Sequence, residues 1–205
     1  MTENLILIHE RVDDIPVLLA QLGNMEVASL IAPHFPTHAN WQGLSLGLVT
    51  SGWLTFMLSQ GDHRLSHVQP WAAQRLKVLS TGLKSPVREL DFSDDRLATV
   101  LDYLRDDTAW EHFECALNPR TLRVYDLRPQ QARIDSTTAK SAVTVTEDGL
   151  FQFGHSKDHR PDLPQIKINL SVFFPLGLPL TTTVVSGQRA EDPLYVPEIK
   201  RVKNC

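Results

Sequence analysis

ARIDSTTAK (residues 132–140), FGHSKDHRPDLPQIKINL (153–170) and GLPLTTTVVSG (177–187) decide how this chain is read. In the first, Asp135 ends a short apolar run and is followed at once by Ser136, Thr137 and Thr138. In the second, Ile166, Ile168, Leu170 and Val172 alternate with Lys167, Asn169 and Ser171, the period-two pattern of a strand. The third is rich in β-branched residues and closes on Gly187. Residues 175–179 join the last two tightly, and short connections make antiparallel neighbours. Residues 193–202 read as a helix with Pro193 near its start. The expected order is strand, polar loop, strand, turn, strand, helix, with a carboxylate on the first strand.

Upstream the pattern changes. Asp13 or Asp14 can cap a helix with Pro16 in its first turn and Gly23 at its end. A short helix is expected over 26–31, before Pro33. Leu44, Leu48, Trp53, Phe56 and Met57 are apolar nearly all round, which places their helix at the centre of its domain. Another helix is expected over 69–79. Ser93 caps one with Asp94 and Asp95 in the first turn, and Leu97, Val100, Leu101 and Leu104 form its apolar stripe. Thr108 or Asp107 caps a last helix through Leu117. Composition shifts at Asn118-Pro119, after which 121–125 reads as a strand, 142–146 as extended and 147–149 as a turn. The expectation is an α+β chain with a mostly helical domain over 1–117 and a strand-bearing domain over 118–205.

The chain has 205 residues, 42% hydrophobic and 21% charged, enough to bury a core and unlike a disordered composition. The formal net charge is −4. Residues 1–130 hold 11 Lys+Arg against 16 Asp+Glu, and residues 131–205 hold 9 against 8, so a polyanion is better tolerated by the C-terminal part. Cys115 and Cys205 match neither a disulfide framework nor a zinc pattern, and two free thiols in a reducing compartment are expected. MTENLILIHE lacks a basic leader region, and 44–58 is too short and too interrupted to span a bilayer. A cytoplasmic protein without membrane contact is expected.

With these residues in view, ARIDSTT, FQFGHSKDHRPDLPQIKINL and PLGLPLTTTVVSGQRAEDPLYVPEIKRV together resemble the DDE-class transposases of bacterial insertion sequences, in the branch grouped with insertion sequence four. The likeness covers most of 120–202, and GHSKDHRPDLPQ is its most specific stretch. ERVDDIPVLLAQLGNMEVASLIAPHF and SLGLVTSGWLTFMLSQGDHRL more loosely resemble the helical domain of unassigned function that precedes the core in some members. The resemblance implies a ribonuclease-H-like core, represented here by its opening antiparallel strands and first helix and therefore incomplete. It implies DNA transposition by phosphodiester cleavage and strand transfer at the element's ends, with two Mg2+ ions held by three carboxylates. Asp135 is then the first carboxylate and a metal ligand. The second and third belong to a later strand and helix, so the chain is expected to be a truncated copy, inactive alone. The partners implied are DNA and an intact transposase or a second copy. The alternative is a non-enzymatic DNA-binding or oligomerisation module acting with an intact transposase.

The polar loop is the second candidate site. Lys157, His159 and Arg160 can contact phosphates, with Asp158 or Asp162 orienting them. Its His and Asp spacing, with His155 included, matches no zinc pattern. Asp192 reads as a helix cap. Trp41, Trp53, Trp71 and Trp110 read as core residues, and Arg64, Arg75, Lys77, Lys84 and Arg88 as the most basic part of the helical domain. A hydrolase using Asp135 with His155 or His159 has no nucleophile motif to support it.

Overall fold

Ser45 starts the helix around which the N-terminal half is built. Its hydroxyl accepts from the Leu48 N–H at 3.4 Å, satisfying one of the donors a helix start leaves open. In the computed structural model, which describes residues 7, 9–128, 130–155 and 160–205, the chain forms two compact units, Met1–Phe113 and Glu114–Cys205. Among the described residues there are eight α-helices and one three-stranded sheet.

The first unit holds α1 (Ile15–Asn24), α2 (Val27–His34), α3 (Leu46–Gln60), α4 (Val68–Ala73), α5 (Leu76–Leu83) and α6 (Asp94–Leu104), and α7 (Asp107–Val124) begins in it. Helix α3 is central, as its apolar circumference requires: Leu46, Val49, Trp53 and Phe56 are all buried. It tolerates hydroxyls there because Thr50 and Thr55 donate to the carbonyls of Leu46 and Ser51, each at 2.8 Å. Gly47 lets its backbone meet that of α2 at Ala28, and Gly52 leaves room for the fully buried ring of Phe92. The Ser93 hydroxyl accepts from Arg96 N–H at 3.3 Å, as expected for the cap of α6. Leu97 and Val100 of the α6 stripe are buried, whereas Leu101 is exposed. Among the described residues no single helix is long and apolar enough to cross a membrane.

Two expectations about helices are corrected. The helix expected over 69–79 is broken into α4 and α5 at Arg75. The Arg75 guanidinium donates to the Trp71 carbonyl at 3.2 Å, and its backbone N–H turns to Ala72 instead, so the helical ladder stops. The strand expected over 121–125 is instead the end of α7, which runs on past Pro119. There the β-preference of Thr121 and Val124 is overridden by packing: Asn118 and Thr121 are buried, and the Asn118 amide donates to the Leu180 carbonyl at 3.0 Å.

The second unit takes α7 from Glu114 onward, then β1 (Gln131–Lys140), β2 (Gln165–Phe174), β3 (Leu178–Ser186) and α8 (Asp192–Asn204). The strands are antiparallel in the order β1-β2-β3. The strand expectations for 165–174 and 180–185 hold, and so does the helix at the C-terminal end. Residues 142–146 lie outside the strands. The Gln152 side chain donates to the carbonyls of Thr146 (2.6 Å) and Gly149 (3.0 Å), closing the turn expected at 147–149.

Burial on the sheet is inverted relative to its hydrophobic pattern. Gln165, Lys167, Asn169 and Ser171 are buried, while Ile166, Ile168, Leu170 and Val172 are only half-buried. Helix α8 explains this, because its Glu198 bonds the side chains of Ser171, Thr181 and Thr183. The register places those three on one face, opposite to Leu170, Thr182 and Asp135. Cys115 and Cys205, expected as free thiols, are joined as a disulfide with their Cα atoms 4.4 Å apart. It ties α7 to the end of α8 within this unit.

Candidate functional site

Asp135 lies near the middle of β1, opposite Leu170, and Leu170 lies opposite Thr182 on β3. Its side chain is on the sheet face away from Glu198, flanked along the strand by Arg133 and Thr137, and it is exposed. One carboxylate oxygen accepts from the Ser136 N–H at 2.8 Å. Extended backbone explains the placement: β-branched Thr137 and Thr138 favour a strand, and residues alternate between faces, so Ser136 goes under the sheet at 2% exposure while Asp135 points outward. The guanidinium carbon of Arg133 stands 3.6 Å from the centre of the Phe174 ring, a cation–π contact on that same face.

Two Mg2+ ions need several converging oxygen ligands. Among the described residues no group of three His, Cys, Asp or Glu side chains converges anywhere. Glu198, bonded by the hydroxyls of Ser171, Thr181 and Thr183, is on the opposite face of the sheet. The described residues therefore do not fit a two-ion centre. Asp135 belongs to no group of three such side chains among the described residues.

In the polar loop, Lys157, Asp158 and His159 lie outside the described residues. Arg160 is described, and its Nε and Nη2 donate to the two oxygens of Asp162, both at 2.8 Å. The two side chains form an exposed bidentate pair, a geometry suited to arginine. This hydrogen bonding holds the Asp162 carboxyl at about 2, below its ordinary value of 3.8. A depressed folded value means the pair is intact above 3.8 and is lost as pH falls through about 2. An NMR titration is expected to place the Asp162 midpoint near that lower value, and Arg160→Ala is expected to return it toward 3.8. An unchanged midpoint in the variant would contradict the pairing.

The other sequence candidates resolve as follows. Arg75 is buried and reaches Asp13 at 3.3 Å. Arg64 is held by Asp62 at 2.8 Å and Arg88 by Asp91 at 3.1 Å. Three of the five basic residues singled out in the helical domain are thus committed to carboxylates and do not form a free basic patch. Asp192, expected as the cap, is instead the first residue of α8; the cap position is Glu191, and Asp192 places its negative charge in the first turn at the helix's positive end. Trp53 and Trp71 are buried as expected, and Trp41 and Trp110 are half-buried.

The feature that sequence reasoning missed is the polar cluster beneath α8. Glu198 is 3% exposed. It accepts from Ser171 at 2.9 Å, from Thr183 at 3.0 Å, and from Thr181 through a short bond. Arg201, one turn on, donates to the Thr183 hydroxyl at 2.7 Å and to the Thr182 carbonyl at 3.2 Å, and pairs closely with Glu114. Glu114 in turn accepts from the Thr182 N–H at 3.2 Å. The cluster is enclosed, with the Glu198 carboxylate held by three hydroxyls and Arg201 held by Thr182, Thr183 and Glu114, which makes it a structural fastening between α8 and the sheet. The i, i+3 spacing of Glu198 and Arg201 was the only local hint of it. No protein-family model, no curated protein and no solved structure matches this chain.

Proposed function

We propose that this chain derives from a DDE-class transposase and carries its helical N-terminal region and the opening part of a ribonuclease-H-like core, with Asp135 as the first of three catalytic carboxylates. The observation that carries the reading is the position of Asp135: exposed, mid-strand, on the first strand of an antiparallel meander that a helix follows. The motif stretches 132–138 and 154–165 supply the chemistry that position would serve. Two features favour an incomplete core. The β1 edge bonds no further strand among the described residues, and the face bearing Asp135 leaves Ile166, Ile168, Leu170 and Val172 half-exposed. A complete domain buries such a face against another layer.

The activity proposed for the chain by itself is DNA association without cleavage. One carboxylate cannot position both the attacking and the leaving oxygen of a phosphodiester. Contacts from the 155–160 loop would be to phosphates and so independent of sequence. The test is binding of the full chain to duplex carrying the element's ends, at several salt concentrations. The affinity is expected to fall with rising salt, with a logarithmic slope of about −2 to −3 for two or three phosphate contacts. The same duplex is expected to stay intact in Mg2+. Absence of binding, or binding that is flat with salt, would contradict DNA association. Mg2+-dependent nicking abolished by Asp135→Asn would contradict the claim that the chain alone is inactive.

A further inference from the structure

Helix α8 is held differently from the other helices. Helices α1 to α6 each bury apolar side chains, and α7 buries Phe113. The one buried side chain of α8 is Glu198. Its Leu194, Tyr195 and Val202 are half-buried, and Val196 and Ile199 are exposed. The sheet face beneath it is polar as well. Ser171, Thr181 and Thr183 bond Glu198. Beside Thr183 in the strand register, Asn169 has its side-chain oxygen buried without a hydrogen-bond partner among the described residues. Uncovering apolar surface is opposed by the hydrophobic effect. Uncovering hydroxyls and an unsatisfied amide oxygen is opposed much less, because water takes over their hydrogen bonds. A segment with little apolar burial opens before the rest of its domain.

Beyond the Glu198 cluster, α8 is tied to α7 at two neighbouring points. Arg201 pairs with Glu114, and Cys205, at the C-terminal cap of α8, is bonded to Cys115. The second tie is the one that redox chemistry can cut. Both cysteines are half-buried. A cavity of about 280 Å³ lies beside Cys205, with Leu122, Phe173, Leu180 and Val202 in its wall, and Cys115 does not line it. A small uncharged thiol that enters this cavity meets the Cys205 sulfur first. Access of this kind helps decide which sulfur of a disulfide is attacked.

We propose that the Cys115–Cys205 bond is a redox-controlled latch on α8, opened by a small thiol that attacks from this cavity. The thiolate sulfur bonds to the Cys205 sulfur, the Cys115–Cys205 bond breaks, and its electron pair leaves on the Cys115 sulfur, which takes up a proton. A second thiol then displaces the first. Two thiols are thereby oxidised to their disulfide and both cysteines are reduced. Helix α8 then lifts from the sheet as a unit while the strands stay paired. The inference uses no property of Asp135 and stands apart from the transposase reading.

Hydrogen exchange on the full chain, with and without excess dithiothreitol, tests the latch. After reduction the α8 amides are expected to exchange at least about tenfold faster than those of β2, beyond whatever loss β2 itself shows. The double variant C115S/C205S is expected to show that reduced pattern with or without dithiothreitol. If α8 and β2 lose protection by the same factor, the bond stabilises the unit as a whole and the latch is overturned. Protection of α8 that survives reduction would overturn it too. The route of attack is tested by a brief exposure to mercaptoethanol, trapping with an alkylating agent and mass spectrometry. The mixed disulfide is expected on Cys205. An adduct mainly on Cys115, or a bond that resists mercaptoethanol altogether, would overturn entry through the cavity.

Discussion

Replacing Glu198 with alanine is expected to destabilise the second unit by about 3 kcal/mol, because it removes the shared acceptor of three hydroxyls that α8 covers. Ser171 and Thr181 are fully enclosed, and Glu198 itself is 3% exposed, so water cannot replace the lost bonds without opening the helix. Thr183 would keep only the bond it receives from Arg201. Glu198→Gln retains an oxygen acceptor and is expected to cost about 1 kcal/mol, the size of a weakened hydrogen bond. Hydrogen exchange of the β2 and β3 amides reads this directly. Tryptophan fluorescence does not, because all four tryptophans fall between residues 41 and 110, in the first unit. Protection in the alanine variant equal to that of the unchanged chain would show that the cluster does not hold the helix.

Breaking the disulfide is expected to have a still larger effect. Cys115 and Cys205 are 90 residues apart. In the chain-entropy picture, closing a loop of that length lowers the freedom of the unfolded chain by about 4–5 kcal/mol at room temperature. Cys115→Ser, Cys205→Ser and treatment with a reductant should all reduce protection of β1–β3 by a similar amount. The double serine variant should be no worse than either single one. The first unit, which contains neither cysteine, should keep its protection. Unchanged exchange in the second unit after reduction would remove this bond from the account of its stability.

Local signals in the sequence reached most of the elements but not the way they face. Ser93 with Asp94 and Asp95 marked the start of α6 because capping and charge at a helix start are properties of three adjacent residues. The alternation over 165–174 marked β2 for a similar reason. Pro119 misled, since an internal proline usually ends a helix; here the Asn118 amide holds that flank against β3 by donating to the Leu180 carbonyl, a contact with a residue about sixty positions away. The break at Arg75 was invisible because it depends on where one long side chain goes. The hardest case was the sheet. Period-two patterning separates two faces but does not say which one is covered, and the usual assumption favours the apolar one. The polar face is covered here because Glu198 and Arg201, on an element that follows all three strands, carry the complementary groups. Asp135 was legible as a strand carboxylate, whereas its exposure near the middle of β1 became visible only in three dimensions.

The central proposal is that Asp135 serves as one of three carboxylates in a DNA-cleaving core. It is tested most directly by joining to this chain a C-terminal segment of a complete DDE-class core, which supplies two further carboxylates, and measuring Mg2+-dependent cleavage of a duplex carrying the element's ends. The account predicts cleavage by the joined protein and its loss, by about a thousandfold or more, in Asp135→Ala, the scale expected when an essential catalytic group is removed. Cleavage that continues undiminished in that variant would contradict it.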